Sequence, residues 1–408
     1  MKNWLRNGGS VLETSPLLAL TIVALLVLTL IRVVVDVPYL GAGETLVDFD
    51  AFYIVGLMIR EGRLDEAYHH VTMFAAQRHF ADDDSFMPWT YPPQFNLIVA
   101  ALPISGRALS YALFTGLTLA AYLLVLRRIS GPHLTAVLIA LLPTLVLTTL
   151  IGQNGFLTGA LVGWFCLATL AGRRLAGLPL GLMVIKPHLG VPLAALCLAR
   201  GHGAVLAIAA AVVVASGALA TLAFGPSVWT AFLGGVREAG AFLEAGFYPL
   251  FRMTSLYAAL HTLGVAPAHA MAAQAGLAAI VLVVVVVAAR RGPLRRALAL
   301  AAFGAVAVSP YAYDYDMTLF GIGLALIIGE VVARCSAVQK AVLLGLCWLV
   351  GGWGLANVQL TDTTDRVLHA ERMDALLSIG GPVYLLLLGL GAVFLTRPAS
   401  PVPARSVA

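Results

Sequence analysis

Runs of about 20 apolar residues recur from one end of this chain to the other, the length that crosses a hydrocarbon core of about 30 Å. The first spans about Pro16 to Val35, and later ones stop at Arg127-Arg128, Arg173-Arg174, Arg200, Arg290-Arg291 and Arg334. A soluble domain has no core large enough to bury so many. Composition agrees: 60% of residues are hydrophobic and 11% charged, against roughly 45–50% and 25% in soluble proteins. Long unbroken runs differ from the short alternating segments of a barrel. The expectation is an all-α polytopic membrane protein with about 10–13 spanning helices. No small-residue cleavage pattern precedes Asp36, so the first run reads as an uncleaved anchor.

Basic residues orient the spans. Lys2 and Arg6 flank the first run, which places that end in the cytoplasm. Arg127, Arg128, Arg173, Arg174, Arg200, Arg290, Arg291, Arg295, Arg296, Arg334, Lys340, Arg397 and Arg405 then all fall on the inner side. Both termini are cytoplasmic in this reading, and the protein sits in the cell (inner or plasma) membrane. Of the 20 acidic residues, only Glu13 and Glu330 land inside. Acids do little to set orientation, so their gathering on the outer face points to function at that surface. The net charge of +5 reflects anchoring residues beside anionic lipid and gives no sign of nucleic-acid binding.

Residues 1–397 form one membrane domain, with outer loops at 36–92, 224–266 and 359–379. Residues 398–408 read as a disordered cytoplasmic tail. The runs at about 175–186 and 189–199 are short, as broken or half-depth helices lining a polar cavity would be. Residues 93–104 fit either a shallow span or a re-entrant helix. The cytoplasmic connections are too short for a nucleotide-binding domain, and neither a GxxxxGK[ST] loop nor a GxGxxG turn follows a strand. Cys166, Cys197, Cys335 and Cys347 show no CxxC pairing and read as packing residues. No acidic or histidine cluster has metal-ligand spacing. No cofactor is expected, with a divalent ion left open.

Five polar constellations on the outer face carry the chemistry. Asp48-Phe49-Asp50-Ala51-Phe52-Tyr53 opens an amphipathic helix, and its acids suit either a helix start or a general base beside a sugar platform. Trp89-Thr90-Tyr91-Pro92-Pro93 is a rigid aromatic turn, suited to an interfacial belt or a binding wall. Gly152-Gln153-Asn154 places two amides in a break between spans, as a plain turn or as partners for sugar hydroxyls. In Ile185-Lys186-Pro187-His188, a lysine beside a helix-breaking proline can snorkel or bind a lipid phosphate. Ser309-Pro310-Tyr311-Ala312-Tyr313-Asp314-Tyr315-Asp316 sets acids and tyrosines at one helix end.

Taken in order, these motifs resemble glycosyltransferase family 87. The resemblance rests on Asp48-Phe49 followed by an aromatic-rich helix, Gly62 and Tyr68, then Tyr91-Pro92-Pro93. Gly152-Gln153-Asn154, Ala176-Gly177, Lys186-Pro187, Phe224-Gly225-Pro226 with Trp229, and Ser309-Pro310 with Tyr315-Asp316 complete it. It implies a GT-C-type membrane enzyme with a catalytic acid in its first outer loop. It further implies a polyprenyl-phosphate sugar donor, mannose in the best-known members, and transfer with inversion to a glycolipid or glycan acceptor. Asp48 falls at the family acid and Lys186 at the family Lys-Pro position, while Asp50 is an additional acid two residues on.

The chemistry is coherent on its own terms. An acceptor hydroxyl needs a carboxylate to take its proton, and Asp48 or Asp50 can serve. A departing lipid phosphate needs fixed positive charge, from Lys186 or Arg252 with His188 alongside. Tyr91, Gln153, Asn154, Tyr315 and Asp316 remain to hold sugar or acceptor. A transporter or lipid-linked-sugar flippase would also use many spans and broken helices, although no internal repeat is visible. A non-catalytic assembly protein is a third reading.

Overall fold

A computed structural model describes residues 14–36, 46–81, 87–361 and 376–396. Among them every regular element is helical, with one isolated antiparallel bridge, Met253 to Tyr313. Six segments are long and apolar enough to cross a membrane: Pro16–Val35, Arg107–Ile151, Gly203–Phe224, Pro267–Arg291, Asp314–Arg334 and Ala337–Val358. The protein is therefore an all-α polytopic membrane protein. The segment Arg107–Ile151 holds two helices, and five further apolar helices are shorter. The short runs near Lys186 are broken as their lengths suggest: Gly177–Leu182, a 3-10 turn Met183–Ile185, then Pro187–Ala199. Lys2, Arg6, most of the 359–379 loop and the tail at 398–408 lie outside the described residues.

Four helices share one direction. We label them α1 (Arg107–Ser130), α2 (Gly155–Leu170), α3 (Pro187–Ala199) and α4 (Met317–Arg334). α2, α3 and α4 begin beside a polar residue singled out above, α1 begins at Arg107, and each ends near basic residues. At the basic end, arginines bond backbone carbonyls, those of Ile129 and Leu395 in the last turns of their helices, where positive charge is favourable. Arg295 donates to the Leu326 and Ile129 carbonyls at 2.7 Å each, Arg200 to Gly292 at 2.7 Å, and Arg334 to Leu395 at 3.0 Å. Arg296 pairs with Glu330 at 2.6 Å.

The centre is α4, packed against α1, α2 and the alanine-rich helix α5 (Leu294–Ala307). Small residues allow that approach, as helices in lipid require. A Cβ on Gly159 would fall 2.7 Å from the Tyr122 ring, and Tyr122 donates to the Thr318 carbonyl at 2.7 Å. By contrast, Pro16–Val35, Gly203–Phe224 and Pro267–Arg291 are only 17% buried, as lipid-facing helices would be.

At the polar end, α6 (Asp48–Arg60) buries Phe49 and Phe52 among Tyr91, Phe95, Tyr111 and Phe114. A hydrogen-bond chain stiffens the aromatic turn after it. Tyr68 donates to the Tyr91 carbonyl at 2.9 Å, Asn96 to the Tyr68 hydroxyl at 2.9 Å, and Trp89 to Asn96 at 3.1 Å. Helix α7 (Ser227–Glu244) crosses this unit. A Cβ on its Gly235 would lie 2.9 Å from the Tyr68 carbonyl. Its Glu238 accepts from the His70 N–H at 3.0 Å, at the start of α8 (His70–Phe80).

Candidate functional site

The site is built where α6 begins. Val47 adopts extended backbone, φ −107° and ψ 162°, and the Asp50 carboxylate accepts the Val47 N–H at 2.9 Å, satisfying a donor the helix leaves free. Asp50 is fully buried and held by Arg107 through two bonds, Nε to Oδ1 at 2.6 Å and Nη2 to Oδ2 at 2.8 Å. Burial pushes the Asp50 carboxyl above the ordinary range, while the Arg107 hydrogen bond and charge pull against it. Asp48, on the first residue of the helix, is half-buried. Its Oδ2 accepts from Gln153 Nε2 at 3.1 Å.

Gln153 is placed by a turn only glycine can make. Gly152 ends the preceding helix, Leu134–Ile151, with φ +65°, and a Cβ there would stand 2.7 Å from both Phe49 Cβ and the Tyr111 ring. Tyr111 donates to the Thr149 and Leu150 carbonyls at 2.6 and 2.8 Å, fixing that end of the helix. The Gln153 carbonyl then accepts from the Tyr91 hydroxyl at 2.9 Å and from the Asn154 N–H at 2.8 Å. One amide thus joins the aromatic turn to Asp48. Burial, with the Asp316 and Asp48 charges adding to it, pushes the Tyr91 phenol well above its ordinary value.

Two cations face this unit, each in the same kind of cradle. Lys186 Nζ lies 2.8 Å from Asp316 Oδ1 and 4.6 Å from the centre of the Tyr315 ring. Arg252 reaches Asp314 with two bonds of 3.1 Å and sits 5.8 Å from the Tyr313 ring. The two tyrosines stack at 5.4 Å and 15°. The sequence Tyr313-Asp314-Tyr315-Asp316 therefore builds two successive units of ring, carboxylate and cation. Arg252 is brought in by the Met253–Tyr313 bridge and by the Thr254 N–H donating to the Ala312 carbonyl at 2.8 Å. Burial opposes the Arg252 charge, but Asp314 and Asp48 outweigh it and hold the guanidinium above its ordinary value. Asp48 is thus close enough to Arg252 for the two charges to interact.

Two polar groups here lack hydrogen bonds. Asn154 is fully buried beside the Tyr91 hydroxyl, and among the described residues neither of its amide atoms makes a hydrogen bond of ordinary geometry. His188 Nε2 is likewise buried and unbonded, beside Lys186 and Asp316. Asn154, Lys186 and Asp316 immediately precede α2, α3 and α4, so three helix N-termini open toward the cluster. Their dipole ends favour bound negative charge. Among the described residues, no group of three His, Cys, Asp or Glu side chains is placed to hold a metal ion.

A membrane-embedded cluster of acids, cations, amides and aromatic rings calls for comparison with known families. The family model for glycosyltransferase family 87 matches residues 89–310, more than half of the chain. The chain belongs to glycosyltransferase family 87. No curated protein and no solved structure gives a significant match. As a member of that family it is a multi-pass membrane glycosyltransferase, with a sugar donor and an acceptor as substrates.

The match contains Tyr91, Gln153, Asn154, Lys186, His188 and Arg252, while Asp48 precedes it and Tyr315 and Asp316 follow it. The fold brings all nine into one cluster, with Asp50 set behind Asp48 against α1. Sequence reading missed Arg107 and gave Asp314 no separate role, yet each completes an ion pair. Arg107 did leave a signal. It opens a helix, where a positive charge opposes the helix dipole, so a buried acid elsewhere was needed to hold it.

Proposed function

We propose that this family 87 enzyme transfers a hexose, mannose by family likeness, from a polyprenyl-phosphate donor to an extracytoplasmic glycolipid or glycan acceptor with inversion. One observation carries the assignment of roles. Asp50 pairs with Arg107, Asp314 with Arg252 and Asp316 with Lys186, whereas Asp48 makes no ion pair among the described residues and is bound only by a neutral amide. A base must have lone pairs free for an incoming proton, and Asp48 is the carboxylate with them.

In this reading the acceptor hydroxyl attacks the anomeric carbon as Asp48 takes its proton. The bond from that carbon to the phosphate oxygen breaks, and the phosphate leaves with the electron pair. Lys186 and Arg252, with the helix N-termini behind them, receive the developing charge. The aspartates that hold these cations also keep them aimed in the absence of substrate. Asn154 and His188, buried and unbonded, are suited to sugar hydroxyls or phosphate oxygens, and Tyr91 and Tyr315 supply ring faces and edges. A single displacement with one free carboxylate supports inversion, since the other described acids of the cluster, Asp50, Asp314 and Asp316, are engaged in ion pairs. The gathering of arginines at the opposite end supports an outward-facing site and cytoplasmic termini.

The test uses purified protein in lipid, radiolabelled polyprenyl-phosphate mannose and a membrane-lipid extract. Wild type is expected to move label into a new glycolipid and Asp48→Asn to lose that transfer while remaining folded. Full turnover by Asp48→Asn would remove Asp48 from the role of base. Failure of wild type with this donor, and success with another lipid-linked sugar, would replace mannose only.

A further inference from the structure

The structure assigns Arg107 and Asp50 as a positioning pair that sets the Asp48 carboxylate in place and cancels the second negative charge beside it. The inference rests on Asp48 as the base, and it removes Asp50 from candidacy for that role.

Geometry supplies the first argument. Both Asp50 oxygens are occupied, Oδ1 by Arg107 Nε at 2.6 Å and Oδ2 by Arg107 Nη2 at 2.8 Å and the Val47 N–H at 2.9 Å. The side chain is 0% exposed, so substrate cannot reach it. Meanwhile the Asp50 N–H donates to the Val47 carbonyl at 2.8 Å. Asp50 and Val47 therefore clamp the turn on which Asp48 stands, and Arg107 bolts that turn to α1. The same helix reaches Gln153 through Tyr111 and the Gly152 turn, so α1 references both the base and the amide that holds it.

Charge supplies the second. Asp48 and Asp50 are two residues apart at one helix start, where two anions would each make the other harder to ionise. The groups facing Asp48 are Gln153 from the Gly152 turn, Arg252 from the second outer loop, Asp314, Tyr313 and Tyr315 before α4, Tyr91 from the aromatic turn, Tyr111 on α1, and Asp50. Those facing Asp50 are Arg107, Tyr111 and Asp48. Since Arg252 is already matched by Asp314, Arg107 is the cation that offsets the charge of Asp50. The pair as a whole therefore adds no net charge beside Asp48.

The experiment measures transfer against pH for wild type, Arg107→Gln, Arg107→Lys, Asp50→Asn and the double variant Arg107→Gln/Asp50→Asn. Arg107→Gln is expected to lower kcat about 100-fold, the scale of a misplaced catalytic group, with donor KM little changed. Without its cation the buried Asp50 takes up a proton, so Arg107→Gln should keep the wild-type acid limb and the double variant should match it. Arg107→Lys should keep the limb but lose rate, since an ammonium keeps the charge without the two-pronged fork. A pair that merely stabilises the fold would lower the fraction of active enzyme and leave kcat per folded molecule unchanged, overturning the positioning role. Loss of the acid limb in Asp50→Asn, with Asp48→Asn still active, would make Asp50 the base. Hydrogen exchange of residues 46–51 gives a readout without turnover. Faster exchange in Asp50→Ala and Arg107→Gln is expected, and unchanged exchange would overturn the positioning role even if the donor proves wrong. Failure of Asp48→Asn to lose activity would instead count against the reading of the base.

Discussion

Lys186 Nζ and Asp316 Oδ1 meet at 2.8 Å across 130 residues of chain, with the Tyr315 ring beneath the ammonium. Lys186 stands where the chain breaks between two short helices, at φ −140° and ψ 74°, and Asp316 immediately precedes α4. The pair ties a broken helix to the central one at the point proposed for the donor phosphate. An ammonium this buried needs its counterion, because an isolated charge in such surroundings is far more costly than a paired one.

That cost separates stability from catalysis. Lys186→Ala leaves Asp316 buried and unpaired, and a loss of about 3–5 kcal/mol in stability is expected. Lys186→Ala/Asp316→Ala removes both charges and should recover most of the stability without recovering transfer. Thermal unfolding in detergent together with turnover checks this, and an active double variant would exclude Lys186 from phosphate binding.

Gln153 tests the amide beside the proposed base. Gln153→Leu removes the 3.1 Å bond to Asp48 and the 2.9 Å bond from Tyr91. A misaligned base should lower kcat about 10- to 100-fold, while Gln153→Glu should do worse by placing a like charge against Asp48. Equal rates for the two variants would mean that charge at this position is irrelevant.

Gly152→Ala addresses the turn. It forces a side chain into positive φ and sets a Cβ 2.7 Å from Phe49 and Tyr111, so Phe49 and the start of α6 must move. A stability loss of at least about 1 kcal/mol is expected, with a larger fall in kcat than in donor affinity. Unfolding and steady-state kinetics on one preparation decide it.

Glu238 provides a pH test away from the site. Burial alone would raise its carboxyl, but hydrogen bonds and charge from His70, then His69, outweigh this and hold it below its ordinary 4.5. A carboxyl with a lowered folded pKa contributes stability that is present above its unfolded value and lost as pH falls through the folded one. Wild type should therefore lose more melting temperature than Glu238→Gln between pH 5 and 3. Parallel curves would show that the contact of α7 with α8 carries no such term.

Much of the site was legible as segments. Gly152 could be read as a break between spans, and the structure explains why it is glycine. Lys186-Pro187 could be read as a broken helix, since proline ends the element before it. Asp48 could be read at a helix start, where an acid meets the positive end of the dipole. By helix position the two acids Asp48 and Asp50 could not be told apart, because both fit a helix N-terminus, and only the family resemblance favoured Asp48. Their roles diverge only through Arg107, 57 residues away, and Gln153, 105 residues away.

The sequence by itself determined the class of this protein. Apolar runs of membrane length admit only elements that satisfy their own backbone hydrogen bonds, so helices follow. Its basic clusters likewise mark one end of those helices. Only the tertiary structure decided which cation serves which carboxylate. Ion pairs form between neighbours in space, and Asp314 could reach Arg252, and Asp316 Lys186, only once the central helices had set their starts side by side. That this pairing leaves Asp48 without a cation among the described residues is a property of the assembled fold and of no local stretch of chain.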